Sequence, residues 1–485
     1  MLRSTIAILV SVACGFAPAH VARVRAADTA LPADAAAALK KAVDYYTTKV
    51  AVHGGYVYHT TPDLSVRWGE GLATKSQIWV QPPATPTVGL ALLKAYEATG
   101  DAAYLAAAKA TGEALIYGQL KSGGWTNFVD FDPESKAAGD YRNGRTRGKG
   151  SKFSTLDDGI GESAIQFLAH LDQALKFEDA AIHQATLAAL DALLAAQFPN
   201  GAFPQGWTGP VASQPVVKPS YPDYDWRTEG RVKNYWDMYN LNDGIAGYTT
   251  AALIDAWSIY KDDRYKQAVL KLGEFLILAQ MPEPQPAWCQ QYGYDMRPIW
   301  ARKFEQPAVT GRESQDVMET LIRIADFSGD KKYLEPIPAA LAYLKRSLLP
   351  DGRLSRYYEL RTNKPLYMTR QGEKYSLTYD DSRLPDHYGW KTESFLARIE
   401  QDYRRASAGS PPSAAPPLTE AEVRAIVTAL DAEGRWIDRY AGQRLVGQPK
   451  FAQGAEFISS ETFSRNVTAL ADYLLAQRIK TGVAR

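Results

Sequence analysis

Two places in the chain set acidic side chains at the start of a helical pattern. Asp157 and Asp158 lie in KFSTLDDGIGES (152–163), just before an amphipathic run, so their carboxylates project from the N-terminal edge of a helix. Asn242 and Asp243 stand in the same way within NYWDMYNLNDGIAGY (234–248). Helix capping explains either one alone, because Asp there accepts backbone N–H bonds and complements the dipole. If the two helix starts met at one end of the molecule, they would offer carboxylate and amide oxygens from separate loops. A hard cation such as Ca²⁺ requires that donor set. The 6 His show no zinc-ligand spacing and offer no rival metal site.

Two further clusters are basic. Arg302 falls in WCQQYGYDMRPIWARKFEQPAVTGRES (288–314), and Arg356 and Arg370 fall in RLSRYYELRTNKPLYMTRQGEKY (353–375). Both stretches read as long loops between helices. An Arg among aromatics is as well explained by cation–π packing with a salt bridge. Several of them facing carboxylates and a cation would instead suit an acidic sugar polymer, since guanidinium matches a planar carboxylate bidentately. The 11 Trp and 28 Tyr are compatible with sugar stacking but do not decide it. A formal charge of +1, from 55 basic and 54 acidic residues, gives no reason to expect nucleic acid.

The elements that must position these clusters are helical. Apolar residues recur at three- and four-residue spacing over 34–50, 86–99, 101–117, 160–176, 183–197, 244–261, 263–280, 312–328, 331–348, 390–405, 419–433 and 458–480. One turn signal joins helices into pairs at EATGDAAYL (97–105), IYKDDRYKQ (259–267) and DFSGDKKYL (326–334). Its Asp caps the second helix, with Tyr packed beneath. Loops carrying glycine and an aromatic follow the pairs: GGYVY (54–58), GGWTN (123–127), NGAFPQGW (200–207), AWCQQYGY (287–294) and DGRLSRYY (351–358). Repeated helix pairs predict an all-α toroid with these loops at one end, and a plain helical bundle is the alternative. Residues 209–236 interrupt the repeat and read as a groove-lining insertion.

At the N-terminus, Arg3, the apolar Ile6–Gly15 and a small-residue site near Ala26 read as an export signal over 1–26. Secretion is expected, and no stretch reaches the ~20 apolar residues of a membrane span. Cleavage would remove Cys14 and leave Cys289, so no intrachain disulfide is expected. The toroid is assigned to 27–405, a linker to the Pro- and Ser-rich 406–418, and a C-terminal helical segment to 419–485. A monomer is expected.

In this order, the clusters resemble the pectate lyases of polysaccharide lyase family 10. KFSTLDDG is similar to that family's Ser-Thr-Ile-Asp-Asn-Gly stretch, FPNGAFPQGW to its Tyr-Pro-Asn-Gly-Gly-Trp-Pro-Gln loop, and YNLNDGIA to its Phe-Asn-Asp-Asp-Ala-Met helix start. The match continues through 288–314 and LSRYYELRTNKPLYMTRQG (354–372), so it spans about residues 85–395. The resemblance implies a toroidal α/α fold and calcium-assisted anti-β-elimination on polygalacturonate. It makes Asp157 and Asp243 the calcium carboxylates and Arg302 the base that takes the C5 proton. Arg356 and Arg370 become clamps on uronate carboxylates, with Lys152, Asp158 and Asn242 as further substrate contacts. An Arg base needs a depressed pKa, expected here from crowding by cations, and with it comes an alkaline optimum.

The chain departs from the family at Asp158, where Asn is usual, at Gln291 and Tyr292, which replace His-Asp, and at Arg312, which replaces a small residue. Two other readings compete. One is an α/α-toroid glycoside hydrolase using Asp157 and Asp158 as its carboxylate pair. The other is a pectin-binding protein that has lost turnover.

Overall fold

A computed structural model describes residues 19–145, 150–228, 230–414, 416–447 and 449–481, with side chains from residue 30 to 480. Most of the export signal read at 1–26 lies outside this range, as does Cys14.

Twelve α-helices occur among the described residues: α1 (Ala19–Tyr45), α2 (Thr85–Thr99), α3 (Ala102–Tyr117), α4 (Ile160–Ala174), α5 (Ala180–Ala195), α6 (Ile245–Tyr260), α7 (Asp263–Leu278), α8 (Gly311–Ser328), α9 (Ile337–Arg346), α10 (Leu396–Ser407), α11 (Glu420–Ala429) and α12 (Ser460–Thr481). They form an α/α toroid. Helices α12, α2, α4, α6, α8 and α10 pack each on the next as an inner layer, and α1, α3, α5, α7, α9 and α11 lie outside them. The inner helices approach closely where small residues allow it. A Cβ on Gly89 of α2 would stand 2.4 Å from the Phe167 ring of α4, so that contact requires glycine.

The predicted turn chemistry is present. Asp101 and Asp262 accept backbone N–H bonds at the start of the second helix of their pairs, Asp179 does the same for α5, and Asp330 caps the 3₁₀ turn Lys331–Leu334 that precedes α9. Tyr104, Tyr265 and Tyr333 are buried three residues after Asp101, Asp262 and Asp330. At the other end of α3, α5 and α7, a glutamine carboxamide ties neighbours together. Gln119 Nε2 donates to Gly123 O and Ala185 O, Gln197 Nε2 to Gly201 O and Ala268 O, and Gln280 Nε2 to Pro286 O and Pro336 O.

Short antiparallel ladders fasten the loops that follow. The strand before each inner helix pairs with the strand after the same pair's outer helix: Gln77–Trp79 with Phe128–Asp130, Ser154–Thr155 with Gly206–Trp207, and Tyr239–Asn240 with Gln291–Tyr292. Val309–Thr310 pairs with Tyr357–Tyr358 in the same way. These ladders gather the loops at one end, where the N-termini of the inner helices point. The C-terminal residues join this body: α12 packs on α2 and α1, and strand Glu456–Ser459 pairs with His59–Thr60.

One element differs from the sequence expectation. Residues 365–378 form a hairpin, Pro365–Gln371 against Lys374–Thr378, where a loop is predicted. Helix α10 also starts at Leu396 rather than near 390, because Lys391–Thr392 pairs with Leu354–Ser355. No described helix is long and apolar enough to cross a membrane.

Candidate active site

The two acidic motifs fold into the same turn. Asp157–Gly159 and Asn242–Gly244 are single 3₁₀ turns leading into α4 and α6. In each, the second residue is an aspartate in the left-handed region, Asp158 at φ 49° and Asp243 at φ 51°, followed by a glycine at φ 73°. A left-handed non-glycine residue costs roughly 1–3 kcal/mol and persists where surrounding structure imposes it, often at functional sites. Here the ring of Tyr248 lies against both glycines, within 3.2 Å of where a Cβ on either would stand. Capping does not explain these aspartates. Gly159 and Gly244 occupy the N-cap positions, and neither helix start receives a side-chain cap. The carboxylates are turned to the groove instead.

There they meet each other and two arginines. Asp157 and Asp243 are in contact, and both carboxyls are pushed above the ordinary range, by burial first and then by neighbouring carboxylates. Asp157 Oδ1 is buried without a hydrogen-bond partner. Arg302 Nη2 is 3.7 Å and Arg356 Nη2 3.9 Å from the Asp243 carboxylate. Each guanidinium also has its own buried glutamate: Glu305 with Arg302 at 2.6 Å, and Glu313 with Arg356 at 2.7 Å. Glu305 further accepts the Arg302 backbone N–H, so side chain and main chain are held together. Arg356 stacks over Tyr388 at 4.7 Å. Tyr357 and Tyr388 connect the two halves through Gln290 and Glu305.

The expected depression of the Arg302 pKa is not found. Burial lowers it, but Glu305 at contact distance, Tyr388 and Asp243 raise it more, and the guanidinium is held well above its usual value. The cations crowding this site are outweighed by the carboxylates that hold them.

Of the other predicted residues, Asn242 joins the cluster but is fully buried. Its Nδ2 donates to Asp243, and its Oδ1 accepts from Gln290 and Arg356, so it holds Asp243 and Arg356 in place. Asp158 lies solvent-reachable on the groove floor, its carboxylate receiving Gln81 Nε2 at 2.8 Å. Lys152 is exposed before strand Ser154–Thr155, beside Phe153, whose ring meets Trp236 edge-on. Arg370 is not brought to the cluster. The hairpin carries it to its turn, where it donates to Gly372 O and pairs with Glu373. Sequence reading missed Glu305 and Glu313 as partners of the arginines. The i,i+3 spacing of Arg302 and Glu305 was the available signal.

Asp158 supplies a test of these electrostatics. Burial, then Asp243 and Glu70, push its carboxyl up to about 7 from 3.8. The fold therefore favours its neutral form, and ionisation costs stability increasingly as pH rises from the unfolded pKa through the folded one. Asp158→Asn is expected to raise Tm in chelator at about pH 8, with the gain fading by about pH 4. Calorimetric scans at both pH values check this, and an equal gain at both would contradict it.

The donors present fit a hard divalent cation. Two carboxylates in contact resist joint ionisation, which a bound cation would relieve, and one oxygen is unpartnered. No group of three or more His, Cys, Asp or Glu among the described residues forms a metal cluster by itself, so further oxygens would come from ligand and water.

The family model of pectic acid lyase matches residues 119–355, the stretch bearing Asp157, Asp243, Arg302, Glu305 and Glu313 and ending one residue before Arg356. Among solved structures, a mutant family 10 polysaccharide lyase from Cellvibrio cellulosa, in complex with trigalaturonic acid, aligns with a TM-score of 0.46 and 19% identity over 66% of this chain and 98% of that one. The family 10 polysaccharide lyase from the same organism gives 0.45 and 20%, over 64% and 94%. A D-mannose isomerase gives 0.45 and 14%, over 91% and 96%. Comparison with curated proteins finds no match.

Proposed function

We propose that the protein is a secreted pectate lyase that cleaves α-1,4-polygalacturonate by calcium-assisted β-elimination, with Arg302 as the base. The observation that carries this reading is the convergence of Arg302 and Arg356 on Asp243, which sits against Asp157. Two arginines aimed into a groove suit an anionic chain and have no use on a neutral one.

In the proposed reaction Arg302 removes the proton from C5, the C5–H electrons form the C4=C5 double bond, and the C4–O4 bond breaks. The departing O4 takes a proton, and no water is added. The C5 proton is weakly acidic because its loss places a second negative charge beside the uronate carboxylate. A cation held by Asp157 and Asp243 supplies, when bound, positive charge that offsets the carboxylate. Arg356, held by Glu313 and Asn242, directs a fixed positive charge at the same region. Glu305 trades basicity for position: it fixes the Arg302 guanidinium while keeping it protonated. Neutral guanidine is scarce at pH 7, so rate is expected to climb with pH through the alkaline range.

Incubation with polygalacturonate at alkaline pH tests this reading. Near-ultraviolet absorbance from unsaturated ends should rise with calcium and stop with chelator. New reducing ends without that absorbance would instead favour hydrolysis by Asp157 and Asp158.

A further inference from the structure

The groove is not symmetrical in charge. On the Arg302 side, a cavity of about 440 Å³ is lined by Arg231, Lys233, Arg302 and Lys303 against one carboxylate, Glu373. The insertion at 209–236 contributes the first two of these, anchored where Val232 N donates to Trp300 O. The opposite side, towards α2, is built from hydrogen-bond acceptors. Gln81 Nε2 donates both to Asp158 Oδ2 at 2.8 Å and to Glu70 Oε1 at 3.3 Å, so two carboxylates distant in sequence share one amide. Asn127 Nδ2 reaches the other oxygen of Glu70 at 3.1 Å. Gln81 is 4% exposed, and its Oε1 is buried with no partner.

This wall is fixed in place. Arg67 Nη1 donates to Thr74 O and Gln77 O, closing the loop that bears Glu70. Gly69 lies on the face of Trp79, where a Cβ would stand 2.0 Å from the ring, and Gly447 packs on the Gly69 carbonyl. Glu70 and Gln81 both fall outside the 119–355 stretch that matches the pectic acid lyase model. The wall belongs to the rest of the chain.

We infer that the Glu70–Gln81–Asp158 end of the groove binds a sugar unit with no charged carboxylate, a methyl-esterified galacturonate or a neutral pyranose, while the basic pocket takes the free uronate. Hydroxyls of an uncharged pyranose can donate to the remaining lone pairs of the Glu70 and Asp158 carboxylates, whereas a uronate carboxylate cannot donate and is repelled by like charge. Specificity then comes from a repulsive element as much as an attractive one. The inference rests on the pectate lyase reading above and sharpens its substrate to a partly esterified polymer.

The test measures kcat/KM on polygalacturonate and on highly methyl-esterified pectin, at several calcium concentrations, for wild type, Glu70→Gln and Glu70→Lys. Glu70 is exposed, so both variants are expected to fold. Removing one like charge should shift the preference towards the unesterified polymer by roughly 3- to 10-fold, and Glu70→Lys should shift it further. An unchanged ratio in both variants would overturn the inference. So would a change confined to the calcium concentration required, which would assign Glu70 to cation binding. Wild type that forms no unsaturated product on either polymer would instead sink the pectate lyase reading itself, and the inference with it.

Discussion

Arg302→Ala is expected to lower kcat on polygalacturonate by roughly 10³-fold, the contribution of a positioned proton acceptor. Loss of a fold element does not account for an effect of that size. Arg302 is part-exposed, and its removal leaves Glu305 with the Gln290 and Tyr388 contacts that already reach it. Arg302→Lys separates charge from geometry. Lysine keeps a cation near Asp243 but cannot hold Glu305 through Nε and Nη2 together, as arginine does at 2.7 and 2.6 Å. Lysine also has the lower intrinsic pKa, so residual activity in Arg302→Lys should show its pH–rate limb displaced to lower pH. A limb at the wild-type pH, with activity nearly intact, would mean that Arg302 serves only as a fixed charge.

Asp243→Asn is expected to lower activity at fixed calcium by roughly 10²-fold or more, since it removes the carboxylate on which both arginines and the proposed cation converge. Its effect on stability should have the opposite sign. The Asp243 carboxyl is pushed above its usual range by burial and Asp157, so its ionisation opposes folding at neutral pH. Neither arginine is stranded by the change, because Glu305 and Glu313 remain as partners. A variant inactive yet at least as thermostable as wild type in chelator is the expected outcome, read by turnover and thermal melts together. A large drop in Tm would show that Asp243 works in the fold more than in the reaction.

Much of this arrangement is legible in the sequence, for identifiable reasons. The helix windows largely match because outer helices such as α3 and α5 bury one stripe, and a 3.6-residue period survives in the order of residues. The Gly-Asp turns were readable because an Asp cap is a local device that needs no distant partner. Two-residue ladders such as Ser154–Thr155 with Gly206–Trp207 are too short to show alternation. The hairpin at 365–378 was hidden by its charged and polar residues, and with it went the position of Arg370. The structure brings Asp157, Asp243, Arg302 and Arg356 together, as the order of their motifs leads one to expect. What fixes them was not visible, because Glu305 and Glu313 act through spatial pairing and the shared left-handed turn of Asp158 and Asp243 is a tertiary fact. The Arg302 pKa is raised by its protein neighbours for the same reason: the loop sequence shows the cations, while the buried carboxylates arrive by folding.

The most direct measurement follows oxygen. Trigalacturonate would be digested in water enriched in heavy oxygen, with calcium present, and the products weighed by mass spectrometry. Elimination predicts one product lighter by a molecule of water than its saturated counterpart and carrying the C4=C5 double bond, with no label beyond the anomeric exchange seen in saturated oligomers incubated alone. Saturated products only, each cut adding a heavy oxygen beyond that exchange, would show hydrolysis and contradict the account.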